Sequence, residues 1–466
     1  MLPIEDTIAA ISTALFPAGM GVIRISGRES LQIAGLVFRG KKPIRECDSH
    51  TAHIGIFVNP ENGKEIDDAV CLIMRGPRSY TGEDVVELSL HGNPLILREA
   101  LNIIVSCGAR SAGAGEFTFR AYMNGKLSLT QSEAVNQLIN ARSEAGMRNA
   151  FLQLKGGLQE KLSVMRDEIF EILSNIEADI EFPDEGLNTL SERDIRKKIE
   201  KILKETEEMI DSYAFGRKIE EGIRIVICGP PNSGKSTLLN TLLEKDRAIV
   251  HETPGTTRDI IEDSIEIKGA NIKLVDTAGI RRTAKEVEEE GIRRTYESIN
   301  NANLVLLVHA IDNPSDDNDR LYDHIRKSES QNINQKTITR IYSKGDLLHD
   351  EKKKEFRELM MDKGLLISAK DGWGLEELRT IISNHIENLN VSDLEGNIIT
   401  SLRQKQLLSK SLEGLNKAAK GINESISGEY LAVDLKESID SLDQIIGIRP
   451  NEDVYDLIFS KFCVGK

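Results

Sequence analysis

Hydrophobic positions change rhythm along the chain. Between residues 21 and 115 they fall in short runs: residues 21–26 and 53–58 have strand length, and turn residues at 59–63 lead into a third run at 66–74. One helix is expected among these strands, with Asn93 as N-cap, Pro94 at the first helical position, and Leu97, Ala100 and Ile104 on one face. This first region reads as α+β. Over residues 127–213 the spacing is helical, broken once at 179–186, and Ser191 caps a further helix with Ile195, Ile199, Ile202 and Leu203 at i, i+4, i+7 and i+8. Over 222–388 strands alternate with helices. The apolar runs at 223–228, 272–275, 304–309, 337–342 and 365–367 predict a doubly wound α/β sheet. The tail from 400 onward returns to helix, with Leu402, Leu407, Leu408, Leu412 and Leu415 at near-helical spacing. The pattern therefore predicts a multidomain α+β protein in which an α/β domain is inserted into a discontinuous helical one. The expected boundaries are 1–122, 123–221, 222–388 and 389–466.

The length agrees: 466 residues, at roughly 150 per domain, make about three domains. Apolar residues are 39%, charged 29% and aromatic 5%, a globular composition. The longest apolar run, near 304–310, is far short of the roughly 20 residues of a membrane span, and the first residues lack the features of a signal peptide. A cytoplasmic protein without a membrane partner is expected. Cysteines at 47, 71, 107, 228 and 463 form no CxxC pair, which argues for a reduced compartment and against a zinc site. A net charge of −15 has the wrong sign for gripping nucleic acid over a broad surface, so any RNA must meet a local patch. The cluster Arg39, Lys41, Lys42 and Arg45 reads as a solvated loop.

Chemistry is concentrated in the α/β region. Gly229-Pro230-Pro231-Asn232-Ser233-Gly234-Lys235-Ser236 fits GxxxxGK[ST] and lies between an apolar strand and a helix carrying Leu238, Leu239 and Leu242. Its backbone N–H groups, with Thr237 following, would cradle phosphates; Lys235 would reach the outer ones and Ser236 would bind Mg²⁺. Asp276-Thr277-Ala278-Gly279 ends a second apolar run, where an Asp would meet the Mg²⁺ shell and a Gly the terminal phosphate. Between them lies Gly255-Thr256-Thr257-Arg258-Asp259, whose Thr257 offers the metal a second hydroxyl, preceded by His251-Glu252-Thr253-Pro254. These last two motifs are each weak alone, and Asp-Thr-Ala-Gly could be a plain strand-end turn. In this order they resemble the motifs of translation-factor-type GTPases. Guanine selection then falls to Ser343-Lys344-Gly345-Asp346, where that pattern asks for Asn-Lys-x-Asp, with Ser368-Ala369-Lys370 completing the base pocket. Asp346 can accept hydrogen bonds from guanine N–H groups that adenine lacks. The shorter Ser343 forgoes an amide contact, at roughly 0.5–1.5 kcal/mol per net hydrogen bond, so weaker but selective GTP binding is expected. Ile280, after the Asp-Thr-Ala-Gly motif, cannot orient water. The acids Glu286, Glu288, Glu289 and Glu290 are candidates, though their charge pattern also suits a solvated helix face.

Further segments extend the likeness beyond this region: Gly21-Val22-Ile23-Arg24-Ile25-Ser26-Gly27, Tyr80-Thr81-Gly82-Glu83-Asp84-Val85-Val86-Glu87, Gly115-Glu116-Phe117-Thr118, Asn124-Gly125-Lys126, Phe182-Pro183-Asp184-Glu185 and Phe462-Cys463-Val464-Gly465-Lys466. With these the chain resembles the MnmE (TrmE) family of bacterial tRNA-modification GTPases over nearly its whole length. The resemblance implies an N-terminal α+β folate-binding-like dimerisation domain, a helical domain in two parts, and an inserted Ras-like P-loop G domain. It implies a homodimer that joins an FAD-containing MnmG-like partner, in a heterotetramer, to place an aminomethyl or carboxymethylaminomethyl group on the wobble uridine of tRNA. Formyl- or methylene-tetrahydrofolate would supply the carbon, with folate contacts at Arg24, Glu87, Lys126 and Lys466. It also implies K⁺ held by Asn232, His251, Thr253 and Thr256, water oriented by Glu288, and Cys463 acting in the modification step as nucleophile or positioning group. Departures are the loop at 15–20, which lacks an Arg, Asn93 in place of a Gly, and Ala114 in place of a Pro. A ribosome-assembly or RNA-binding GTPase without RNA chemistry is the alternative; such a protein has no reason to carry Cys463 together with the N-terminal domain.

Overall fold

The computed structural model describes residues 6–182, 190–245, 262–267, 270–276, 298–299, 302–312, 337–360, 364–387, 398–424, 426–448 and 452–466. They form two compact units: Met1–Ile139, Ala150–Glu208 and Arg403–Lys466 make the first, and Asn140–Asn149 with Met209–Leu402 the second.

The first unit opens with a mixed sheet of β1 (Ile8–Ile11), β2 (Ala18–Ser26), β3 (Phe38–Gly40), β4 (Thr51–Val58), β5 (Glu65–Met74), β6 (Val85–Gly92) and β7 (Arg110–Ser111), in the order β3-β4-β5-β6-β2-β1-β7. Side chains alternate across a strand. Ile23, Ile25, Val86 and Leu88 therefore join the core with Ile33, Val37, Leu97 and Ile104, whereas Arg24 and Glu87, paired across β2 and β6, belong to the opposite face. The expected cap is present: Asn93 Oδ1 accepts from Leu95 N at 2.8 Å at the start of helix Pro94–Ser106. The expectation of a single helix in this region is corrected. Ser30–Val37 is helical as well, held by Ile33, Ala34 and Val37 packing on the sheet; beyond that region helix Glu116–Met123 follows.

The helical region also differs from its expected single break. Helices Leu129–Asn140, Glu144–Leu154 and Gly157–Glu181 are separated near residues 141–143 and at Gly156, a glycine at φ 99°, and helix Glu192–Glu221 follows. Ser191 does cap it, accepting from Asp194 N at 3.2 Å. Helices Leu402–Asn423 and Gly428–Ile446 complete the helical region, and within the first unit it is fastened by Arg166–Asp443 (2.6 Å) and Ser411–Ser438 (2.7 Å). Arg403 grips Glu133 with two bonds, at 3.0 and 2.9 Å, and Gln404 donates to the same carboxylate at 2.7 Å, so a buried charge is fully partnered.

The second unit is the α/β domain. β8 (Ile223–Cys228), β9 (Glu262–Ile267), β10 (Ala270–Asp276), β11 (Leu304–Ala310), β12 (Thr337–Ser343) and β13 (Leu365–Leu366) stand in the order β13-β12-β11-β8-β10-β9, all parallel except β9. Central parallel strands are covered on both faces, which is why β8 and β11 read as unbroken apolar runs. Their residues divide between a core with Leu238, Leu242, Leu378 and Ile382 and a smaller one with Ile299 and Ala302. In chain order this unit interrupts the helical part of the first, so the architecture is a multidomain α+β one with an inserted α/β domain.

Candidate functional site

In an open parallel sheet, ligands bind beyond the carboxyl ends of the strands. The loop 229–234 follows β8 there, Asp276 ends β10, and Ser343 ends β12. Two glycines let the loop pass. Gly229 has φ 150° with a Cβ position only 2.3 Å from Val308 O, and Gly234 has φ 89°. Asn232 also takes a left-handed conformation, φ 60°, which asparagine tolerates better than most residues, and its side chain is exposed. Leu238 N donates to Gly234 O at 2.9 Å, opening helix Lys235–Lys245. Lys235 is buried and donates from Nζ to Pro230 O at 2.6 Å, curling over its own loop, while Ser236 and Thr237 are exposed at the helix start. A glycine-bent loop that runs into a helix N-terminus beside one cation is the arrangement of an anion site for phosphates.

The adjoining loop presents a carboxylate. Ser368 Oγ donates to Asp346 Oδ1 at 3.1 Å and accepts from Asp371 N at 3.2 Å, and Gly345 N donates to Ile367 O at 2.9 Å. Ser368 and Trp373 exchange backbone hydrogen bonds, and Lys353 Nζ lies 6.0 Å from the Trp373 ring centre. Lys370 is exposed. Lys344, at φ 62°, sends Nζ to both Asp312 oxygens, at 2.7 and 2.9 Å, and that bond holds the Asp312 carboxyl below its usual value. Burial pushes the Cys228 thiol, just before the phosphate loop, up to about 12, so it is inert at neutral pH.

A second group of reactive side chains lies in the first unit. Arg24 Nε donates to Glu87 Oε1 at 2.8 Å, and its guanidinium lies 5.3 Å from the Tyr80 ring centre and 5.5 Å from that of Phe117. The C-terminal strand end is tied down here: Val464 bridges to Ala114, and Gly465 stands so close to Ile11 O that a Cβ would lie 2.4 Å from it. Burial, and then the Arg24 cation, lower the Lys466 amine below a lysine's ordinary value, while Glu87 and Cys463 pull the other way. Arg24, Glu87, Lys466 and the exposed Cys463 are therefore electrostatic neighbours. With Arg24 seated against the half-buried Tyr80 and the fully buried Phe117, two cations and a carboxylate suit a ligand that carries both N–H donors and negative charge. Lys126 is engaged apart from this pair, donating to Pro77 O at 3.0 Å.

Two family models match the chain: GTP-binding protein TrmE N-terminus over residues 7–126, and MnmE helical domain over residues 129–463. The tRNA modification GTPase MnmE of Protochlamydia amoebophila is 40% identical over 99% of this chain and 98% of its own length. The proteins of the same description from Acetivibrio thermocellus, at 38%, and Aquifex aeolicus, at 39%, cover 99% of this chain and 99% and 100% of their own lengths. The chain belongs to the MnmE family of tRNA-modification GTPases. Among solved structures, the G domain of the T. maritima FeoB iron transporter is 27% identical and covers 35% of this chain and 98% of its own, at a TM-score of 0.26, too slight a superposition to argue from.

Of the expected MnmE-type site residues, Asn232, Ser233, Gly234, Lys235, Ser236, Asp276, Ser343, Lys344, Asp346, Ser368 and Ala369 stand along the carboxyl edge of the second sheet or in the loops beyond it. His251, Glu252, Thr253, Pro254, Gly255, Thr256, Thr257, Thr277, Ala278, Gly279 and Glu288 lie outside the described residues. The loop expected to depart from the family at residues 15–20 exposes Leu15, Phe16 and Met20, and β2 begins within it. Sequence reading missed Asp312 as a site residue, and the rings of Tyr80 and Phe117 as the seat of Arg24. Asp312 had a usable signal, an acid just past the carboxyl end of a buried strand, and the two rings lie within segments already singled out.

Proposed function

We propose that this MnmE-family GTPase is activated by K⁺ and acts with an FAD-containing MnmG-like partner on tRNA, adding an aminomethyl or carboxymethylaminomethyl group to the wobble uridine from a tetrahydrofolate one-carbon unit. The observation that carries this reading is the neighbourhood of Arg24, Glu87, Lys466 and Cys463, a ligand site that a GTPase acting only as a checkpoint would not need. Glu87 would accept from the N–H edge of a pterin, Arg24 and Lys466 would hold the negative tail, and Lys126 would join them. Tetrahydrofolate supplies the carbon when bound, and Cys463 serves as nucleophile or positioning group.

In the other unit the loop amides and Lys235 hold the triphosphate of GTP, Ser236 and Thr257 take Mg²⁺ beside Asp276, and Glu288 orients the attacking water. Asn232, whose exposed side chain stands at the turn of the loop, would hold K⁺ with His251, Thr253 and Thr256. K⁺ contributes positive charge against the phosphates in the transition state. Thr277, Ala278 and Gly279 would track the terminal phosphate, and Ser368, Ala369 and Lys370 the base. The homodimer, the partner complex, a cytoplasmic location and the domain boundaries 1–122, 123–221, 222–388 and 389–466 belong to the same reading.

Mass spectrometry of wobble nucleosides from cells lacking the protein should show loss of the modified uridine, and GTP turnover of the purified protein should fall when Na⁺ replaces K⁺. An unchanged nucleoside profile would sink the modification chemistry; equal turnover in both salts would sink the cation's role.

A further inference from the structure

On the sequence Ser343 is a base-reading asparagine cut short. The structure gives its hydroxyl another partner. β12 ends at Ser343, 3% exposed, and Oγ donates to Ser233 O at 2.6 Å, with His309 O at 3.2 Å. Both neighbours are carbonyls, and a serine hydroxyl has one proton to give. Guanine presents only acceptors, N7 and O6, on the edge that a donor here could read. A proton held by the Ser233 carbonyl is not available to that edge. The same side chain stands against the phosphate loop at a second point, since a Cβ on Gly234 would lie 3.4 Å from Ser343 Oγ and 3.5 Å from its Cβ. Ser233 is itself fully buried, so its carbonyl has no water to replace the bond. The purine-facing groups of the same loop are held independently, Gly345 N by Ile367 O and Asp346 by Ser368.

We propose that Ser343 is a positioning residue for the phosphate loop, fastening Ser233 to the end of β12, and that its side chain takes no part in choosing the purine, which rests on Asp346. The inference depends on the guanine-nucleotide reading of the site.

The test is calorimetric titration of the full-length protein with Mg²⁺-GDP and Mg²⁺-7-deaza-GDP, which lacks the N7 acceptor. Ser343→Ala should weaken both ligands by the same factor, about five- to tenfold for one buried hydrogen bond, leaving the ratio between them as in the wild type. Ser343→Thr, which keeps the hydroxyl, should bind both within about twofold of wild type. A ratio that changes on removing the hydroxyl would overturn the proposal, as would unchanged affinity in Ser343→Ala or a loss in Ser343→Thr as large as that in Ser343→Ala. If Ser343→Ala does not fold, as judged by circular dichroism, the Ser343→Thr comparison decides. Failure of the wild type to bind GDP at all would instead strike at the nucleotide reading itself.

Discussion

Arg120 is 1% exposed, and a lone cation so deep would be costly; three carboxylates surround it. Its guanidinium donates to Asp6 Oδ1 at 2.6 Å, to Glu116 Oε1 at 3.0 Å and to Glu83 Oε1 at 3.2 Å, while Arg110 shares Asp6 and Glu116. Burial would raise the Glu116 and Asp6 carboxyls, but the bonds from Arg110 and Arg120 outweigh it and hold both below their usual values. Carboxylates depressed in this way stabilise the fold above their ordinary range near pH 4, and the contribution is lost as pH falls through the lower folded values. Glu116→Gln should therefore cost about 3 kcal/mol at neutral pH, measured by urea unfolding, and the gap from wild type should narrow below about pH 4. A gap that stayed constant with pH would show that the charges are not what matters. Residues of this kind are hard to read from sequence. Arg120 could be noticed inside a motif-like segment, but Asp6 lies 114 positions away and nothing local pairs them.

Elements were legible in proportion to how far their signals are local. The Asn93-Pro94 start of helix Pro94–Ser106 is one such signal, and its cap bond can be tested. Asn93→Ala should cost about 1 kcal/mol and Asn93→Gly only a few tenths, by denaturant midpoint; equal losses would mean the Oδ1 bond to Leu95 N adds nothing. The buried parallel strands β8, β11 and β12 announce themselves as apolar runs for an equally plain reason. Helix Ser30–Val37 does not: it is short, contains Gly35, lacks a side-chain cap bond, and is helical because the sheet beneath it takes its apolar face. The extra breaks in the helical region escape notice because apolar spacing carries on either side of residues 141–143 and of Gly156, and only the backbone turns. In the candidate site the loop sequence announced the phosphate cradle, whereas the bond from Ser343 spans 110 positions to Ser233 and could only be seen in three dimensions.

At the scale of the whole molecule, two chemistries share one chain of net charge −15: a phosphate cradle with a base-reading acid in the second unit, and a cation–carboxylate cluster beside a free thiol in the first. A ligand that binds only the folded state stabilises it by about 2.7 kcal/mol at a hundred times its Kd. Mg²⁺-GTP should accordingly raise the midpoint of thermal unfolding and Mg²⁺-ATP at the same concentration should not, since Asp346 has no adenine N–H pair to accept from; equal shifts would refute guanine selection. The chain has one tryptophan, Trp373, and it exchanges backbone hydrogen bonds with the very serine that steadies Asp346. On the proposed reading of that serine and Asp346 as the base pocket, its indole emission would be a built-in optical gauge, following nucleotide entry and exit in real time on unlabelled protein.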